Sequence, residues 1–200
     1  MVDRSGWTLL DSLVATFFMA ILATVLHSFA TLSLNAVQAR QIADDLDETA
    51  RIAVGIIGRD LREVGYGRRF SADLGLVRAA AAEIGLTRDL DLDGVTTSSN
   101  ERVAYLIDAD SNRLYRQLGK APPQPMVERI VASQSGFRFF AADDSEMKTS
   151  ELETSAARAR VRYVEITLTL APPLPLPQHA ALRPTRHVAV VTLRNHRSHQ

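Results

Sequence analysis

Three aspartates spaced two apart, Asp89, Asp91 and Asp93, followed at once by Gly94, are the residues of this chain best arranged to hold a ligand. Alternate acids on a tight loop turn their oxygens toward one point, and a glycine in the sixth place permits the sharp turn that the first half of a calcium loop needs. The second half departs from that pattern, because Asn100 stands where a bidentate glutamate belongs and Glu101 comes one residue late. Two readings stay open: a calcium site on Asp89, Asp91 and Asp93, or a solvated acidic loop. No other cofactor is expected. His179, His187, His196 and His199 have no spacing with acids that builds a metal site, and His27 lies in an apolar run. Cysteine is absent, which removes disulfides, thiolate zinc sites and cysteine nucleophiles. No nucleophile elbow, phosphate loop or paired-carboxylate motif occurs, so no catalytic residue is assigned and the chain reads as a structural or binding protein, not an enzyme.

One further acid stands out by its surroundings. Asp11 is followed by a stretch, Ser12 to Gln38, with no Asp, Glu, Lys or Arg, and Ser12 to Leu26 is apolar on every face. A soluble amphipathic helix would show a polar stripe there. About 20 apolar residues cross the hydrocarbon core of a bilayer, and Trp7 to Phe29 meets that length, interrupted by Asp11 and His27 alone. A carboxylate in such a segment is costly and therefore has a partner or a function. Asp11 either pairs with a cation in low dielectric or sits among headgroups in contact with water.

The elements that must position these residues follow from patterning. A chain of 200 residues is enough for one anchored domain with a real core. Lys plus Arg and Asp plus Glu both number 23, so no broad field favours nucleic acid, and none is expected as a partner. Ile42, Leu46, Ala50, Val54, Ile57 and Leu61 recur at spacings of three and four, which extends the apolar helix as an amphipathic one. Asp47 with Arg51, and Glu48 with Arg51, are the ion pairs expected on its outer face. Gly55 and Gly58 mark a bend or a close backbone approach, and Gly65 a stop. From Trp7 to about Val64 the helix would be roughly 87 Å long, so its second half must cover a head domain outside lipid.

Beyond the helix the period switches to two. A hairpin is predicted over Glu101–Ile107 and Arg113–Leu118, with three more strands in Ser135–Ala141, Arg160–Leu170 and Arg186–Arg194. Short connections make the sheet antiparallel, giving an α+β fold with a long N-terminal helix packed on an antiparallel β-sheet head. Asp143 to Ala157 reads as a polar loop with room for a short helix, and Pro172–Pro177 as an exposed extended connection.

Gly6-Trp-Thr-Leu-Leu-Asp11 ahead of the long apolar run resembles the start of type IV prepilins and type II secretion pseudopilins, with Trp7 where phenylalanine is usual and Asp11 where glutamate is usual. In an ordinary secretory signal the small-residue cleavage site follows an apolar core of about 7–15 residues, whereas here Gly6 precedes it. The resemblance implies cleavage by prepilin peptidase after Gly6, methylation of the new amino terminus on Trp7, and pairing of Asp11 with the free amino terminus of a neighbouring subunit. Asp60-Leu-Arg-Glu-Val-Gly-Tyr-Gly67 and Val190–Asn195 resemble the junction and closing strand of the minor pilin lettered W and the J-type pseudopilin. The implied organisation is a leader at 1–6, a membrane and filament-core helix at 7–34, its amphipathic continuation at 35–65 and a β-rich periplasmic head at 66–200. The implied role is a minor pilin or minor pseudopilin that initiates or caps a type IV pilus or type II secretion pseudopilus. Its partners would be other minor and major pilins or pseudopilins, prepilin peptidase, the inner membrane and the inner-membrane assembly platform. The rival readings are a filament-independent single-pass anchored binding module and, with no residue set behind it, an anchored hydrolase.

Overall fold

A computed structural model describes residues 9–67, 74–173 and 182–193. Helix α1 runs unbroken over Leu9–Arg62, longer than any run a strictly amphipathic pattern alone would specify. Its stripe turns inward as expected: Leu46, Ala50, Val54, Ile57 and Leu61 are buried and Ile42 is partly buried against the same core. Ala53, Gly58 and Asp60 join that face. The helix stops through a turn at Glu63–Gly65, where Gly65 takes a positive φ of 71° and donates its N–H to the Thr87 carbonyl at 3.1 Å. That conformation favours glycine because a Cβ clashes there.

The head contains nine antiparallel strands among the described residues, in two sheets instead of the single sheet expected. The first is a five-stranded meander of β1 (Gly75–Ala79), β2 (Glu83–Thr87), β3 (Arg102–Asp108), β4 (Arg113–Leu118) and β5 (Gln124–Glu128). The second has the order β7-β6-β8-β9, with β6 at Gly136–Phe140, β7 at Glu146–Met147, β8 at Tyr163–Leu170 and β9 at Thr185–Thr192. The predicted hairpin is β3–β4, and the other three predicted strands are β6, β8 and β9. The segment expected as a loop holds β7 and a short helix α2 (Ser155–Arg158), capped by the Thr154 hydroxyl, which accepts from the Ala157 N–H at 3.2 Å. Of Pro172–Pro177, only Pro172 and Pro173 lie within the described residues, outside any strand.

Helix α1 lies on the second sheet. Val164, Ile166, Leu168 and Leu170 of β8 are directly opposite Val191, Ala189, His187 and Thr185 of β9, so these side chains share the face on which the helix stripe closes. The two sheets are stitched where the Phe137 N–H donates to the Ala81 carbonyl at 2.8 Å and where Ile130 bridges Leu170. The core between helix and sheets includes Tyr105, Leu114, Phe137, Phe139 and Ile166, all nearly inaccessible to solvent.

The two helix glycines separate in role. A Cβ on Gly58 would touch Val191 at 3.4 Å, so this is the close approach of β9 to the helix, whereas Gly55 faces open space. Neither bends α1 enough to interrupt it. Gly55→Ala is therefore expected to stabilise the chain by about 1 kcal/mol, the helix-propensity difference undiminished by any clash. Equilibrium denaturation in detergent should show the midpoint rising, and an unchanged or lower midpoint would contradict an unstrained helix at that position.

Candidate functional site

The first half of α1 is where the chain's exposed apolar surface concentrates. Leu13, Phe17, Leu22, Val25 and Phe29 are each more than half exposed, and nothing in the head covers them. Apolar patches of this extent mark an interaction surface, since a soluble monomer rarely leaves more than a few hundred Å² uncovered. The helix is long and apolar enough to cross a membrane by length and composition. Four of its hydroxyls bond back into the helix: Thr16 donates to the Ser12 carbonyl at 2.9 Å, Thr24 to Ala20 at 2.8 Å, Ser28 to Thr24 at 2.9 Å and Thr31 to Ser28 at 2.9 Å. Bonding back into the preceding turn lets these polar residues sit in hydrocarbon without exposing a donor.

Asp11 lies exposed in the first turn of this helix. A carboxylate there is favoured by the helix dipole, whose N-terminal end is positive. Gly6 and Trp7, expected at the processing site, fall outside the described residues, as do His179, His196 and His199.

At the opposite end of the helix a buried charged cluster fastens α1 to the first sheet. Asp60 is 1% exposed. Its Oδ2 accepts from the Tyr105 hydroxyl at 2.6 Å and from Arg116 Nη2 at 2.7 Å, and its Oδ1 accepts from Arg88 Nη1 at 3.3 Å. Register explains the convergence, because Tyr105 and Arg116 are cross-strand partners on β3 and β4, and Arg88 follows β2 directly. Arg88 also pairs with Glu63 and donates from Nε to the Asn100 carbonyl at 3.1 Å. Desolvation pushes the Asp60 pKa up, but hydrogen bonds from Tyr105 and Arg116 and the charges of Arg116 and Arg88 outweigh it and hold the carboxyl below its ordinary range. Burial and the Asp60 carboxylate together push the Tyr105 hydroxyl well above the usual tyrosine value. Asp60 sits three residues after Ile57 on the buried stripe, and an acid on an apolar stripe was the available signal of this cluster.

Nearer the apolar half, Asp47 pairs with Arg51 at 2.9 Å as expected, and the Glu48 carboxylate is 3.9 Å from Arg51. Asp47 also meets His187 of β9 at 2.6 Å, a contact spanning 140 residues that no local spacing announces. The His187 hydrogen bond, then that of Arg51, lowers the Asp47 pKa. His187 thus joins helix to edge strand.

The acidic loop is rearranged relative to expectation. Asp89, Asp91 and Glu101 bring carboxylate oxygens within 4.8 Å of one another, while Asp93 is not in the group. Asp93 is occupied in its own turn, accepting from the Val95 N–H at 2.7 Å. Glu101 enters because the loop folds back: the Arg88 N–H donates to the Glu101 carbonyl at 2.9 Å, and Glu101 Oε1 and Oε2 accept from the N–H groups of Leu90 at 3.0 Å and Ser98 at 3.1 Å. In space Glu101 stands beside Asp89 and Asp91, where the spacing put Asp93.

With this geometry established, comparison with known proteins adds little. No family model matches the chain, and no curated protein matches it. The type IV-like pilin TTHA1219 from Thermus thermophilus is similar in structure. It aligns at a TM-score of 0.39 with 10% sequence identity, over 76% of this chain and 97% of that one. Values this low transfer no role, so the functional case stands on the chain's own residues.

Proposed function

We propose that this chain is a pilin-type structural subunit, a minor pilin or minor pseudopilin that initiates or caps a type IV pilus or type II secretion pseudopilus. The observation that carries the reading is the division of α1: an all-round apolar, uncovered half that begins beside Asp11, continuous with a half whose stripe forms the floor of the head. A generic anchor needs a spanning stretch, but it does not need a rigid continuation into its domain, nor Gly6 before an aromatic residue and an acid just inside.

In this reading prepilin peptidase cuts after Gly6, and the amino group of Trp7, then methylated, becomes the cation that neutralises Asp11 of a neighbouring subunit. The pair is worth forming because each member alone is a charge in a low-dielectric bundle. Before assembly the helix crosses the inner membrane once with the head in the periplasm. On assembly through the inner-membrane platform, lipid contacts are exchanged for helices of major and minor pilins or pseudopilins.

The test is the amino terminus of protein extracted from its native membrane. Intact mass and N-terminal sequencing should find methylated Trp7 as the first residue. Protein carrying all of residues 1–6 would end the filament reading in favour of a filament-independent anchored binding module.

A further inference from the structure

We infer that the outer edge of β9 is a docking site for an extended segment of a partner protein, which adds to the four-stranded sheet as a further antiparallel strand with β-branched apolar side chains at alternate positions and a carboxylate opposite Arg186. The inference does not depend on the filament reading, because every group it uses belongs to the head. A sheet edge presents unpaired N–H and C=O groups that invite another strand, and folded proteins blunt it. The other three edges of this head are blunted. Strand β5 contains Pro125 and meets β4 with a register shift between Leu114 and Tyr115. Strand β7 is two residues long. Strand β1 is broken by a shift between Leu76 and Arg78, and its Leu76 carbonyl accepts from Arg158 Nε at 2.9 Å. Strand β9 has none of these devices: all eight residues of Thr185–Thr192 pair with β8 in one continuous register.

The ladder shows which groups of β9 point outward. The Thr169 backbone is engaged on the far side of β8, its N–H donating to Ser135 Oγ at 2.9 Å and its carbonyl accepting from the Val131 N–H at 2.8 Å. Direction alternates along a strand, so Leu168 and Leu170 turn toward β9 and bond with His187 and Thr185 opposite them. At the other end the Leu193 N–H donates to the Arg162 carbonyl at 2.9 Å, which sets the same phase. The backbone groups of Arg186, Val188, Val190 and Thr192 therefore face the open edge. Their side chains lie on the sheet face away from α1, where Val188 is 48% and Val190 62% exposed, and Arg186 stands exposed at the end of the row.

This edge selects its occupant. An extended backbone offers donors and acceptors at the strand repeat, β-branched side chains pair well across from valines, and a carboxylate complements Arg186. A second copy of β9 fits poorly. Strand β9 runs in the same sense as α1, with His187 at Asp47 and Val191 at Gly58, so two β9 strands paired antiparallel would send their apolar helix halves in opposite directions.

The probe is a synthetic peptide as long as β9, with valine alternating with threonine and a glutamate near its C-terminus. A second peptide of the same sequence, N-methylated along the edge that would face β9, is the control. Residue-by-residue amide exchange of the full chain in detergent reads the site. Without peptide, the Val188 and Val190 amides should exchange freely while those of Ala189 and Val191 are protected. Saturating peptide should slow the first pair by about tenfold or more, and the methylated peptide should not. Val188→Pro removes an outward N–H that the ladder does not use, and Val190→Lys keeps every backbone group while charging the edge; each should weaken peptide binding by about tenfold or more. Protection of Val188 and Val190 in the peptide-free chain, by a second copy or by its own residues, would overturn the inference. So would a lack of saturation up to about 1 mM peptide, the weak end of specific binding, equal binding of the methylated peptide, or undiminished binding by Val190→Lys.

Discussion

Asp60→Ala is expected to destabilise the head by about 3–5 kcal/mol, the cost of breaking a buried ion pair from one side. Removing the carboxylate takes a buried counter-charge from Arg116 and Arg88 and the acceptor from the Tyr105 hydroxyl, leaving Arg88 only Glu63 and the Asn100 carbonyl, and Arg116 Nε its 3.1 Å bond to the Tyr105 oxygen. A loss of that size is a large part of the ~5–15 kcal/mol that holds a typical domain together. Urea denaturation of the full chain in detergent, followed by circular dichroism, measures it; a loss below about 1 kcal/mol, the value of an exposed pair, would show that the cluster is hydrated. Simultaneous replacement of Asp60, Arg88 and Arg116 by apolar residues of similar volume should recover much of the loss, because no charge is then left buried. The natural chain adds a pH signature. Asp60 has a folded pKa below its unfolded one, so its contribution is present above the ordinary aspartate pKa and is lost as pH falls through the depressed value. Asp60→Asn should flatten the stability curve in that acid window.

The second large effect is expected at Asp11. Asp11→Ala should insert in the membrane at least as well as the natural chain, since it removes a carboxylate that costs up to about 2.5–3.5 kcal/mol at the centre of a bilayer and less near the end. It should also still be cut after Gly6. What it should lose is incorporation into filaments, by at least tenfold, because the neighbour's amino terminus would then be buried without its counter-charge. Asp11→Glu should retain incorporation. The measurement is the amount of this chain recovered with sheared filaments relative to membranes, and equal recovery for Asp11→Ala and the natural chain would remove the pairing role. Gly6 provides the control: in the proposed reading, a bulky residue there should block the cut.

Much of the fold was legible because two signals are local. The absence of charge from Ser12 to Gln38 and the stripe from Ile42 to Leu61 both belong to one helix, and alternation around Tyr105 and Leu114 gives the β3–β4 hairpin. The hairpin β1–β2 was hidden by Ala79 to Ala82: four alanines carry no alternation and prefer helix, yet Ala80 and Glu83 close a tight turn through paired backbone hydrogen bonds of 2.7 and 3.3 Å. Strand β5 was hidden by Pro125, tolerated because β5 lies at a sheet edge. The functional residues divide the same way. Among the candidate residues, Asp11 stands out by its surroundings and Asp89 and Asp91 by their spacing. Glu101 replaces Asp93 because side-chain direction is set by how the loop closes, and the partners of Asp60 and His187 lie on distant strands, where only the tertiary register brings them into reach.

The unbroken course of α1 has a mechanical consequence. A single stiff shaft reaches from Leu9 to Arg62, and the globule is bolted to it at both sheets, through Gly58 against Val191 and through Asp60. There is no compliant joint along that shaft. A thrust applied to its lower end is delivered to the globule as an equal stroke, so a motor working inside the bilayer would move the outer mass without loss of travel.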